Sequence, residues 1–99
     1  MWEISLEEEA AQALVDGSLS EDNIVILERW IRLMGQSGPE ALQGNRSRWH
    51  DHILQGAWFG YRSSRFSDTG RIIYRVDKKW QRIIVVRITN NHGYTREKG

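Results

Sequence analysis

Between Tyr61 and Tyr94 the chain carries cations at short spacing with aromatic rings among them. Arg62, Arg65, Arg71 and Arg75 are interleaved with Tyr61, Phe66 and Tyr74, and His92 and Tyr94 follow further on. The planar fork of arginine binds phosphate bidentately and stays charged, and aromatic rings offer platforms for unpaired bases. Histidine titrates near neutrality, so it can accept and return a proton within one cycle. RNA brings its own nucleophile, the 2′-hydroxyl. A nuclease acting on it then needs a base, an acid and cations that stabilise the charge on the phosphorane, without a metal. Structural arginines beside a loop histidine would produce a similar pattern, so both readings stand at this point.

Other chemistry is scarce. The chain has no phosphate-cradling glycine loop, no His-Glu-x-x-His helix and no Gly-x-Ser-x-Gly elbow. His50-x-His52 would set two imidazoles on one face of a strand, but no third ligand stands at a telling spacing, and neither a metal nor a cofactor is expected. With no cysteine there are no disulfides, thiolate zinc sites or cysteine nucleophiles.

The net charge of +1 is a sum of opposites. Met1 to Gly44 holds nine acids and two bases, a balance of −7; Asn45 to Gly99 holds twelve bases and four acids, a balance of +8. Nine of those twelve bases are arginines. Such asymmetry points to an anionic partner for the second half, unless the halves simply neutralise each other across the fold. Ninety-nine residues suit a single domain over 1–99. No run approaches the roughly 20 apolar residues of a membrane span, and the start lacks a basic and an apolar region. A cytoplasmic location is the expectation.

The elements that must position these groups divide in the same way. Trp2 to Ser5 is a possible short strand, and Ser5-Leu6-Glu7-Glu8 reads as a capping box opening a helix that stops at Gly17. Ser20-Glu21-Asp22 opens a second helix, with Ile24, Leu27, Trp30, Ile31 and Met34 at helical spacing until Gly35, and Gly38-Pro39 closes the region. The spacing predicts a helix hairpin over about 5–36. Strand patterns follow over about 57–90. An aromatic and polar stretch runs from Trp58 to Phe66, Asp68-Thr69-Gly70 is a turn, and strands are expected at Arg71–Val76 and Arg82–Thr89, with a basic tail after them. Alternation puts Ile72, Tyr74 and Val76 on one face and Arg71, Ile73 and Arg75 on the other. The expected fold is α+β: a helix hairpin packed on a twisted antiparallel sheet.

The stretches His52-Ile53-Leu54-Gln55-Gly56, Trp58-Phe59-Gly60-Tyr61-Arg62-Ser63-Ser64-Arg65-Phe66 and Asp68-Thr69-Gly70-Arg71-Ile72-Ile73-Tyr74-Arg75-Val76 together resemble the core of the RelE/ParE toxin superfamily. The ending Asn90-Asn91-His92-Gly93-Tyr94 is similar to the histidine-x-tyrosine of its RNA-cleaving branch. The likeness spans about His52 to Tyr94 and implies a β-α-α-β-β-β order. It further implies a type II toxin that cleaves mRNA on the ribosome by metal-free 2′-hydroxyl attack, held in check by a cognate antitoxin, as a homodimer or a toxin–antitoxin hetero-oligomer. Carried over by position, Arg65 and Arg71 would hold the scissile phosphate, and His92 would transfer protons. Tyr94 would orient or stack a base, and His52 would be a second proton-transfer or substrate-contact group. Arg62, Arg75, Tyr61, Arg48 and Arg87 are the expected RNA contacts, and Asp51 and Asp68 are weak candidates for a general base. The alternative is a ParE-like DNA gyrase inhibitor or a non-catalytic toxin that binds without cutting. Arg65 could instead pair with Asp68, Arg71 could be an exposed strand residue, and Tyr94 could cover the sheet edge.

Overall fold

A computed structural model describes residues 1–43 and 47–90. The elements run β1 (Glu3–Leu6), α1 (Glu8–Val15), α2 (Glu21–Ser37), β2 (His52–Ile53), β3 (Arg62–Arg65), β4 (Gly70–Asp77) and β5 (Arg82–Asn90), with 3₁₀ turns at Pro39–Leu42 and Gly56–Trp58. Five strands form one sheet in the order β1-β5-β4-β3-β2. β2 through β5 are antiparallel neighbours, as short turns require. β1 instead pairs with β5 in parallel, Glu3 opposite Arg82 and Leu6 opposite Val85, so the sheet is mixed where a fully antiparallel one was expected. The two helices between β1 and the rest of the sheet supply the length that a parallel return needs.

That strand also displaces the expected capping box. Ser5 lies inside β1 opposite Ile84, and Glu7 is the residue that precedes α1, without a side-chain cap. The second helix starts as expected: the Ser20 hydroxyl accepts from the Asn23 amide at 3.1 Å. It runs two residues beyond Gly35, to Ser37, and ends at Gly38, whose backbone (φ 80, ψ 179) falls in a region open to glycine alone. Trp2 packs there, so close that a β-carbon on Gly38 would collide with its Nε1.

Both helices cover one face of the sheet. Ala10 and Ala13 of α1 and Leu27, Trp30 and Met34 of α2 join Ile72, Tyr74, Ile83, Val85 and Ile88 in the main core. Trp49, from the loop before β2, is buried in it too. Ile72, Tyr74 and Val76 do face this core, and Ile73 faces away from it, as alternation predicts. On that opposite face Ile73, Ile84 and Val86 form a second, smaller cluster under Leu54, Trp58 and Tyr61. Within the Trp58–Phe66 stretch Trp58 and Tyr61 cover this cluster, Arg62–Arg65 are strand, and Phe66 joins the main core. Among the described residues no helix is long and apolar enough to cross a membrane.

Candidate functional site

The turn between β3 and β4 determines which cations meet. Phe66 N–H donates to the Gly70 carbonyl at 3.1 Å and Gly70 N–H to the Ser67 carbonyl at 3.3 Å. This register sets Arg65 directly opposite Arg71, and Arg71 opposite Thr89 of β5. Since Arg71 and Ile73 share a face, the pair lies on the side of the sheet away from the helices. Like charges directly opposite each other repel. Burial, and then the charge of Arg65, hold the Arg71 guanidinium below its ordinary pKa.

The surrounding groups fix Arg71 and barely occupy Arg65. The Nη1 of Arg71 donates to the carbonyls of Gly70 (2.9 Å), Ser67 and Asp68 (both 3.3 Å), folding the guanidinium over the turn. Arg65 Nη2 stands 3.5 Å from Asp68 Oδ1, as the structural reading allowed, but that carboxylate is fully solvated. A pair of this kind contributes well under 1 kcal/mol, so a phosphate can displace it at little cost. Among the described residues no strong counter-ion meets these two adjacent guanidinium groups, which together make an anion-binding geometry.

His52 sits on β2 opposite Ser63, one residue pair along from Arg65 on the same outward face. Its Nδ1 lies 2.9 Å from the carbonyl oxygen of His50. A carbonyl only accepts, so in the neutral ring Nδ1 carries the hydrogen and Nε2 presents its lone pair. His50 reaches this geometry at φ 46, the left-handed region, which makes a kink in the chain just before β2.

The remaining expected contacts separate into two groups. Arg75 and Arg87 share the outward face with Arg71. Arg75 is exposed, whereas Arg87 is ion-paired with Glu9 at 2.8 Å and lies 5.6 Å from the centre of the Trp58 ring. Tyr61 packs on the outer cluster, edge-on to Trp58. Arg48 is exposed over the Trp49 ring. Arg62 is on the other face, donating from Nε to Asp51 at 2.7 Å. His92 and Tyr94 lie outside the described residues.

Asp51 has a different place from that of a general base. Its side chain is fully buried and accepts from Arg62, from the Ser64 hydroxyl at 2.6 Å and from the Tyr74 hydroxyl; Ser64 in turn accepts from the indole N–H of Trp30 at 3.0 Å. Burial and then the Asp51 charge push the Tyr74 phenol well above its usual range. Burial acts to lower the Arg62 pKa, but the hydrogen bond and charge of Asp51 leave it raised. One signal could have revealed this knot. Alternation sends Ser64 and Tyr74 inward, and two inward hydroxyls need an acceptor.

A groove of about 720 Å³ lies beside β2, lined among others by Trp2, Pro39, Ile53, Phe59, Arg62 and Lys78. It does not include Arg65, Arg71 or His52. Arg65 and Arg71 are half-buried and His52 is exposed on the outward face of the sheet, a surface that suits an extended polyanion.

No family model matches the chain, and no curated protein matches it either. Solved structures do. A YoeB/ParE toxin from Agrobacterium tumefaciens superposes at TM-score 0.71 with 18% identity, over 91% of this chain and 99% of that one. YafQ from E. coli strain BL21(DE3) gives 0.71 at 17% identity, over 95% and 98%. RelE of the archaeal RelE–RelB complex from Pyrococcus horikoshii OT3 gives 0.69 at 17% identity, over 92% and 96%. At such identity the likeness is one of fold, and it extends along nearly the whole of each chain. The chain has the fold of the RelE and YoeB toxins.

Proposed function

We propose that this chain is the toxin of a type II toxin–antitoxin pair and acts as a ribosome-dependent mRNA endoribonuclease. The observation that carries the reading is the Arg65–Arg71 pair, weakly countered and facing outward beside His52. In the proposed reaction the two guanidinium groups bind the non-bridging oxygens of one phosphate. His52 Nε2 takes the proton of the 2′-hydroxyl, the 2′-oxygen bonds to phosphorus, and the bond to the 5′-oxygen breaks. His92, two residues past Asn90 in sequence, returns a proton to that oxygen. The products are a 2′,3′-cyclic phosphate and a 5′-hydroxyl. The guanidinium groups act on the charge of the phosphorane, where fixed cations are most effective. Tyr94 stacks a base, with Arg75 and Arg87 along the RNA.

An antitoxin partner follows from the same reading, since the similar structures include RelE–RelB and YoeB–YefM complexes, and a homodimer has a counterpart in the YoeB dimer from Staphylococcus aureus. A cytoplasmic location accords with a ribosomal target.

Induction in bacteria tests the proposal. The wild type stops growth, and transcript 5′ ends accumulate at codon-phased positions. Arg71→Ala lowers cleavage about 10²- to 10³-fold, the usual loss for one stabilising group, and relieves the arrest. DNA breakage in place of RNA ends would replace this reading with gyrase inhibition. Full toxicity of both Arg71→Ala and His92→Ala would remove these residues from the chemistry.

A further inference from the structure

β4 leaves the Arg65–Arg71 pair, carries Arg75 outward midway, and turns into β5 through Asp77–Arg82. Lys78, Lys79, Trp80 and Gln81 are all exposed in that turn. The indole of Trp80 is 65% exposed, in a protein that buries Trp30 and Trp49 almost completely. The turn is nonetheless built. Trp80 N–H donates to Asp77 Oδ1 at 3.4 Å, Gln81 N–H donates to the Lys78 carbonyl at 3.2 Å, and Gln81 holds the left-handed conformation at φ 50. Lys79 Nζ stands 5.6 Å from the centre of the indole ring. Among the described residues neither lysine is paired with a carboxylate, whereas Arg82 is paired with Glu3.

A solvated indole forgoes apolar burial, and this one has no apolar neighbour in its turn to form a hydrophobic docking patch. Its neighbours are ammonium groups, the combination that single-stranded nucleic acid takes: a ring for a base and cations for the phosphates on either side. The distance also fits. Lys78 lies seven positions along the chain from Arg71, about 23 Å at 3.3 Å per residue, with Arg75 exposed between them.

We propose that the β4–β5 turn is a second RNA contact, separate from the cleavage site, in which Trp80 stacks on an unpaired base while Lys78 and Lys79 hold the adjoining phosphates. It rests on the reading of RNA as the substrate, and extends it: one strand would be gripped at both ends of β4, so that the turn contributes to affinity and register and not to bond cleavage.

The test is binding of the whole chain to a 2′-O-methyl oligoribonucleotide, which lacks the attacking hydroxyl and so reports binding whether or not the chain cuts RNA. Trp80→Ala should weaken binding about 5- to 150-fold, the range for loss of one stacked base, and Trp80→Phe should recover most of it. Lys78→Gln with Lys79→Gln should flatten the slope of log affinity against log salt by about 1.4, for two single-strand phosphates. The thermal midpoint of each variant should match the wild type, because these side chains are exposed. Wild-type affinity in Trp80→Ala, equal losses in Trp80→Ala and Trp80→Phe, or an unchanged salt slope would each overturn the proposal. Failure of the cleavage reading shows separately, as absence of RNA cuts by the wild type while this binding persists.

Discussion

Replacing Asp51 by alanine removes the acceptor shared by Arg62, Ser64 and Tyr74. Ser64 and Tyr74 have no solvent exposure, so their hydroxyls cannot turn to water. Each orphaned donor costs about 1–3 kcal/mol. The Arg62 side chain keeps 22% of its surface exposed and recovers part of its hydration. Breaking a buried ion pair from one side costs about 3–5 kcal/mol, and that is the expected loss here. A domain of this size holds only about 5–15 kcal/mol in all. At about 4–8 °C per kcal/mol the thermal midpoint should fall by roughly 12–40 °C. Urea unfolding and calorimetry measure it directly. Asp51→Asn keeps one acceptor oxygen and should lose less than Asp51→Ala. Adding Tyr74→Phe to Asp51→Ala removes one orphan, so the double variant should be more stable than the two single losses summed, by about 1 kcal/mol or more. A loss below about 1 kcal/mol in Asp51→Ala would refute the reasoning, because it would mean that water already serves these donors.

Two further expectations concern stability alone. The Tyr74 phenol is raised by folding, so the unfolded chain ionises first, near pH 10, and binds fewer protons than the folded one above it. Stability from this group is complete below pH 10 and falls by up to about 1.4 kcal/mol per pH unit beyond it; alkaline unfolding of Tyr74→Phe should lack that component. Gly38→Ala combines a backbone region open only to glycine with a β-carbon that collides with Trp2 Nε1, and denaturant titration should show a loss of more than about 2 kcal/mol.

The parts of the fold that sequence made legible are those whose instructions are local. Ser20 caps α2 within three residues, the β-branched runs of β4 and β5 alternate, and the Asp68-Thr69-Gly70 turn between β3 and β4 sets Arg65 opposite Arg71. In sequence Arg65 and Arg71 come together only through the family resemblance, and the register that sets them opposite each other came with the structure. What escaped is what depends on partners distant along the chain. β1 is four residues long, and its parallel pairing with β5 has no signature in either segment. Ser5 illustrates the conflict: its local pattern reads as a cap, and the sheet overrides it. The Asp51 knot joins residues 11, 13 and 23 positions apart, aligned by register and by the kink at His50. No motif of adjacent residues could announce it.

The position of β5 also orders events during synthesis. It lies between β1 and β4, so the last of the described strands fills the second place in the sheet. Until it has been made, β1 has no strand to pair with, and α1, which packs against β5, lacks most of its support. Pairings across nearly eighty residues form slowly, because loop closure precedes any gain from them. A nascent chain that already displays Arg65 and Arg71 would still lack the strand that braces β4. This connectivity would delay the completed outward surface around Arg65 and Arg71 until β5 has been made and has paired with β4.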